Sequence, residues 1–374
     1  MRLYSPLIPI VLVLGMLAMT NASMSELPVS PTPAVPPAPP PAVHRDGPLE
    51  VWAWNGEFAP AVIRKQLPGL TGVDNLIPGW FELVASDGEV YDVADEKLVR
   101  DIRKQGMEVT PLVSNKHRKA MTTEFLADPE AVDRFVESLT ERFREVGLAG
   151  ANLDFEGVEP QSRDTYAAFV EKLAKTFRAN SLGLTVDVPV TETGELPVWF
   201  DAKRIAAAAD QVVLMAYDQF YEGSEHTGPV SGMEWTEAGI RQAIAVGVPA
   251  DKIVLGVPLY TREWQLDKAG KPMSSRPLSM KALDGTLIGY EKVDRKWDSE
   301  HGLYRVKYKD GKGSFEVWEE NTATVEARYA LAREYGLHGV AVWRLGYEPK
   351  DFWKKAEAWK TNATRDAHKS RTSP

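Results

Sequence analysis

Gly150-Ala151-Asn152-Leu153-Asp154-Phe155-Glu156-Gly157 is the stretch on which the reading of this chain turns. On a β-strand successive side chains alternate between faces, so Asn152, Asp154 and Glu156 share one face and Leu153 and Phe155 the other. Two apolar residues suit a covering layer of helices, which leaves an amide and two carboxylates on the opposite side. In a closed β/α barrel that opposite side is the interior and the C-terminal rim, where barrel enzymes place their reacting groups. Burying carboxylates without a role is costly. The bland alternative is a solvated Asp and Glu at a strand end.

Outward from this stretch, short β-rich runs alternate with amphipathic helical patterns, as in a parallel sheet wrapped by helices. Strand candidates are Leu49–Trp54, Asn75–Ile77, Glu108–Val113, Gly150–Glu156, Leu184–Pro189, Gln211–Tyr217, Lys252–Tyr260 and Gly339–Leu345. Asp128 and Pro129 read as the cap and first position of a helix that repeats Val132, Phe135, Leu139, Phe143 and Val146 at spacings of three and four. Tyr166, Phe169, Leu173 and Phe177 repeat the pattern, and Gly183 is expected to end that helix. Eight strands with intervening helices favour an α/β fold of the (β/α)8 TIM-barrel type over an open doubly wound sheet.

One interval departs from the alternation. Residues 261–320, after the seventh strand, carry turn signals at Asp284-Gly285 and Asp310-Gly311. The second separates Leu303–Tyr308 from Ser314–Trp318 as in a β-hairpin. The segment reads as a small α+β insertion on the C-terminal rim, with Trp297 and Trp318 as candidates for a wall beside the cleft.

The ends of the chain read differently. Arg2 precedes an apolar run from Leu7 to Met19, short for a bilayer span, and small residues at Thr20 and Ala22 precede an expected cleavage point after Ala22. Residues 1–24 are therefore an export signal, either cleaved or kept as a membrane anchor. Residues 25–46 hold eight prolines between Pro28 and Pro41, the composition of an extended tether. The expected barrel domain covers 47–361, and the polar residues 362–374 form a frayed tail.

With 374 residues, 44% hydrophobic and 26% charged, the chain can bury a large core. Its net charge of −9 argues against a nucleic-acid partner, which usually requires clustered cations. The absence of cysteine excludes disulfides, thiolate metal sites and cysteine nucleophiles. The six histidines show no paired ligand spacing, and no phosphate-binding loop or Gly-x-Ser-x-Gly elbow is present, so neither metal nor cofactor is expected.

Two further strand ends carry polar or aromatic groups: Met215-Ala216-Tyr217-Asp218 after the sixth strand, and Trp343 at the end of the eighth. Together with Asn152-Leu-Asp-Phe-Glu156, Ile253-Val-Leu-Gly-Val-Pro-Leu-Tyr260 and Val342-Trp-Arg-Leu-Gly346, they give a chain that resembles glycoside hydrolase family 18 from Leu49 to Trp359. Gly228-Pro-Val230, Trp235 and the long insertion make it more similar to the peptidoglycan-lytic and spore-cortex type, and to the domain fused to polysaccharide deacetylases and glycosyltransferases, than to secreted chitinases. Ala149 and Asn152 stand where the family's acidic signature commonly has Asp.

The resemblance implies an exported, monomeric glycosidase acting on an N-acetylated polysaccharide by substrate-assisted retention, an exception to the two-carboxylate scheme. It implies Glu156 as the acid, Asp154 as the residue orienting the substrate's acetamido N–H, Tyr217 as donor to the acetamido oxygen and Trp343 as the apolar floor. Asn152, Met215, Asp218, Asn115 and Trp54 are the further candidate substrate contacts. Two other classes stay open: a non-catalytic glycan-binding barrel, and an accessory protein of an exopolysaccharide or wall-synthesis machine.

Overall fold

The computed structural model describes residues 47–56, 59–288, 293–311 and 313–361. The expected signal, tether and tail lie outside the described residues. Among those described, no helix is long and apolar enough to cross a membrane.

The main sheet closes on itself. Its strands are Glu50–Asn55, Asn75–Pro78 continued by Phe81–Leu83, Glu108–Val109 continued by Leu112–Ser114, Gly150–Asp154, Gly183–Pro189, Gln211–Met215, Ile253–Pro258 and Gly339–Trp343. They pair in parallel in chain order, and the last returns to the first with Gly339 opposite Glu50. The result is an eight-stranded β/α barrel. The third strand is interrupted at Thr110-Pro111, where proline has no N–H for the ladder; its carbonyl still accepts from Asn152 N at 3.0 Å.

Alternation along these strands divides the apolar residues into two layers. Val51, Ala53, Leu76, Val113, Leu153, Val186, Leu214, Leu255, Val340 and Val342 join the helices in one continuous core. Trp52, Trp54, Ile77, Leu112, Val213, Val254 and Ala341 form a separate cluster inside the barrel. Phe155 belongs to the outer layer, stacked on Phe169 with ring centroids 5.5 Å apart and edge-on to Phe125 and Phe135. Burial of side chains such as Leu153 and Phe155 contributes roughly 1.5–3 kcal/mol each, which fixes the register that turns their neighbours inward.

The helix Pro129–Val146 begins at Asp128, whose side chain accepts from Glu130 N at 2.9 Å, and ends at left-handed Gly147. The helix Arg163–Ala179 ends differently from expectation: Ser181 takes the left-handed turn, and Gly183 opens the next strand. Gly183 pairs with Gly150, and it is Gly150 that has no space for a side chain, since a Cβ there would lie 2.2 Å from the Gly183 carbonyl oxygen.

After Pro258 the chain builds a five-stranded antiparallel sheet from Tyr260–Leu266, Pro272–Ser279, Val293–Asp298, Leu303–Asp310 and Gly313–Trp318. The Asp284-Gly285 pair, expected as a turn, lies within the helix Met280–Ile288. Ser279 Oγ accepts from Ala282 N at 3.1 Å at its start, and Leu283 packs with Leu278, Val306 and Val317, so capping and burial override local turn preference. Trp318 is 3% exposed, packed with Trp264 and Leu303 and donating to Asp298 Oδ2 at 2.8 Å. It is core of the added sheet and offers no wall to a cleft.

Candidate active site

Asn152 lies inside the barrel as a neutral hub. Its Oδ1 accepts from Trp54 Nε1 at 2.8 Å, and its Nδ2 donates to Thr185 Oγ1 at 3.0 Å and to Asp187 Oδ1. The first and fourth strands are not neighbours, so the Trp54 bond crosses the interior. An aspartate at this position could not donate to Asp187, whereas the amide satisfies three partners without adding charge.

Asp154 ends the fourth strand and has Oδ1 buried with no hydrogen-bond partner among the described residues. Burial and, next, the Glu156 charge push its carboxyl up to about 8, against the opposing influence of His117 and Lys116. Asp187 on the fifth strand is 1% exposed, and burial and the Asp154 charge hold it well above the usual carboxylate range although Asn152 opposes this. Asp154 and Asp187 thus share one low-dielectric region, where the Asp154 charge, and less so that of Glu156, acts with burial against ionisation of Asp187.

Glu156 stands at the top of this group with its side chain 23% exposed. Its main chain is held at both ends by Asn115, which accepts from Glu156 N at 3.0 Å and donates to Glu156 O at 2.8 Å. The chain then turns sharply at left-handed Gly157. His117 Nε2 lies 3.0 Å from Glu156 Oε1, and this hydrogen bond, more than burial, which acts in the opposite direction, raises the affinity of the imidazole for its proton.

Tyr217 and Trp343 are half-buried beside this group, their rings stacked at 6.3 Å and an interplanar angle of 23°. Both pack on the interior cluster that contains Trp54. Gly256 leaves room for Tyr217, since a Cβ there would lie 3.3 Å from the ring and 2.9 Å from the Leu214 carbonyl. Burial, followed by the charges of Asp187 and Asp154, raises the Tyr217 phenol well above its ordinary range, so it remains a proton donor. Asp218 adopts a left-handed backbone, and its side chain, 46% exposed, accepts from Tyr260 Oη at 2.7 Å near Arg262.

Some sequence candidates change place. Asn115 and Asn152 are each 0% exposed and have their amides engaged; Trp54 is 1% and Met215 6% exposed. Asn115 holds the main chain of Glu156, Asn152 the carboxyl of Asp187, and Trp54 packs edge-on to Tyr217 and Trp343. His117, Asp187 and the pairing of Tyr260 with the candidate Asp218 escaped sequence reading. A carboxylate between Val186 and Val188 in mid-strand was a usable signal for Asp187. His117 had none, because its partner is 39 positions away along the chain.

Residues 59–348 match the family described as Glycosyl hydrolases family 18. An uncharacterised glycosylase of Bacillus subtilis is 25% identical over 72% of this chain and 79% of its own length. The cortical fragment-lytic enzyme of Bacillus anthracis is 24% identical over 72% of this chain, which spans 64% of that enzyme. The crystal structure of a chitinase from Chromobacterium violaceum superposes with a TM-score of 0.74 at 22% identity, covering 84% of this chain and 99% of that one.

Proposed function

The chain belongs to glycosyl hydrolase family 18, and from that premise we propose that it cleaves a glycan containing N-acetylglucosamine, the substrate's own 2-acetamido group acting as nucleophile. The observation that carries this reading is Asp154, buried beside Glu156 with an unpartnered Oδ1 and a carboxyl held up to about 8. Asp154 therefore keeps its proton at neutral pH, and a proton held beside Glu156 is what that residue needs in order to act as an acid.

Glu156, the more exposed of the two, passes that proton to the glycosidic oxygen as the bond to the anomeric carbon breaks. The acetamido carbonyl oxygen attacks the same carbon from the opposite face, giving an oxazolinium ion. Asp154, then ionised, accepts the acetamido N–H and stabilises the developing positive charge. Tyr217 donates its hydroxyl to the acetamido oxygen and with Trp343 forms the apolar floor. Water next attacks the anomeric carbon and returns its proton to Glu156, so the configuration is retained and the acid is regenerated. The acid-and-floor arrangement supports catalysis over a binding-only role.

A peptidoglycan or chitin-like polymer is the proposed substrate, in keeping with relatives named as a cortical fragment-lytic enzyme and a chitinase. Export is proposed from the apolar run Leu7 to Met19. The test compares matched acetylated and deacetylated β-1,4-linked oligomers and follows the released anomer by NMR, with Glu156→Gln alongside. Only the acetylated oligomer should be cut, with retention, and the variant should lose at least about a hundredfold in turnover. Efficient cleavage of the deacetylated oligomer or an inverted first product would overturn the mechanism.

A further inference from the structure

We propose that His117 is a positioning residue for Glu156: its Nε2–H holds Oε1, leaving Oε2 to exchange the proton with the glycosidic oxygen, and its charge sets the alkaline limit of activity. The inference rests on Glu156 being the acid. It deepens that reading by naming what orients the carboxyl group.

Geometry carries the argument. The Asn115 side-chain oxygen accepts from Glu156 N at 3.0 Å and also from His117 N at 3.2 Å, so one buried amide sets the main chain of both partners. The imidazole and carboxyl then meet at 3.0 Å. Lys116 and His117 both adopt left-handed backbone, with φ of 51° and 54°. Two consecutive non-glycine residues in that region are strained and persist only where their surroundings impose them. Here Ser114 Oγ accepts from Lys116 N at 3.0 Å, and Arg118 N donates to Asn115 O at 3.1 Å, closing the turn. The turn costs conformational energy, and its outcome is an imidazole placed on the acid.

Charge sets the direction of the effect. The groups acting on His117 are Glu156 and Asp154, which favour its cation, and Lys116, which opposes it. Around Glu156 the other carboxyl groups that feel its charge are Asp154, Asp187 and Asp218. A cationic imidazole favours the ionised carboxyl and draws the alkaline limb of kcat/KM toward lower pH. Removing the charge should move that limb upward. Removing the donor as well should release the carboxyl and reduce kcat.

The experiment uses the full chain as wild type, His117→Gln, His117→Leu and Glu156→Gln. Because the imidazole is 66% exposed and the replacements meet the same left-handed backbone as histidine, both His117 variants should fold, which thermal melts check. An NMR titration of the His117 ring should show its midpoint about one unit lower in Glu156→Gln than in wild type. On an acetylated oligomer, His117→Leu should raise the alkaline limb by about one unit and reduce kcat about tenfold. His117→Gln keeps an N–H donor without the charge, so it should recover most of kcat while keeping the shifted limb. An unchanged ring titration, or wild-type pH profiles in both His117 variants, would overturn the proposal. Failure of the wild-type chain to hydrolyse any acetylated oligomer would instead remove the acid role of Glu156, while the ring titration still decides the pairing.

Discussion

Asn115 grips Glu156 by its main chain on both sides, Oδ1 accepting from its N–H at 3.0 Å and Nδ2 donating to its carbonyl at 2.8 Å. The same Nδ2 donates to Thr122 Oγ1 at 2.9 Å, which ties the acid to the helix Lys119–Ala127. Asn115→Ala removes these bonds from a site with 0% exposure and leaves buried partners unsatisfied, at a cost of about 1–3 kcal/mol. Turnover should fall by about a hundredfold, since displacing the acid by about 1 Å is enough for that loss. Urea denaturation and steady-state kinetics check both parts. Full activity with reduced stability would show that the grip is only structural.

Asp154 should make stability depend on pH. Its folded carboxyl titrates near 8 against an ordinary value of 3.8. Between those values the unfolded chain binds fewer protons than the native one, so this group's contribution is full below about 3.8 and is lost as pH rises through about 8. Asp154→Asn should flatten that decline and raise Tm at pH 8 by about 2–4 °C, while abolishing most activity. Thermal melts of both proteins from pH 5 to 8.5 provide the measurement, and a parallel decline in the variant would contradict it.

Tyr217→Phe removes the hydroxyl proposed to meet the acetamido oxygen but keeps the ring that stacks on Trp343. Turnover should fall about a hundredfold with little change in Tm. A thiazoline mimic of the cyclised intermediate should bind the variant more weakly, by roughly tenfold, which titration calorimetry would read. Equal affinity for both proteins would separate Tyr217 from the acetamido group.

Arg328 and Glu320 form an ion pair at 2.8 Å with exposures of 0% and 1%, and Arg328 also donates to the Ser231 carbonyl. Ser231 Oγ in turn donates to Ala216 O at 2.7 Å, next to Tyr217, so the pair ties the helix Thr322–Glu334 to the site. Arg328→Met alone should destabilise by about 3–5 kcal/mol because Glu320 is left buried and uncompensated. Adding Glu320→Leu should recover part of the loss. A double variant no more stable than the single one would argue against the pairing account.

The sequence by itself determined the barrel and the face of its fourth strand. Alternation is local, and Leu153 and Phe155 can be buried against helices only if Asn152, Asp154 and Glu156 turn the other way. The same local reading placed Tyr217 and Trp343 at strand ends, where the structure stacks them. It could not tell which candidates touch solvent. Asn115 and Trp54 were expected to touch substrate, yet both are buried because their partners, Glu156 and Asn152, come from the fourth-strand stretch far away in the chain. Gly183 and Asp284-Gly285 were misread for a related reason, since strand pairing with Gly150 and a capped, packed helix are decided by neighbours that local propensity does not contain. Tertiary structure alone brought Asp187 within reach of the Asp154 charge and His117 onto Glu156. Closing the barrel fixes those distances, and charges in a region of low dielectric act through distance in space, whatever their separation along the chain.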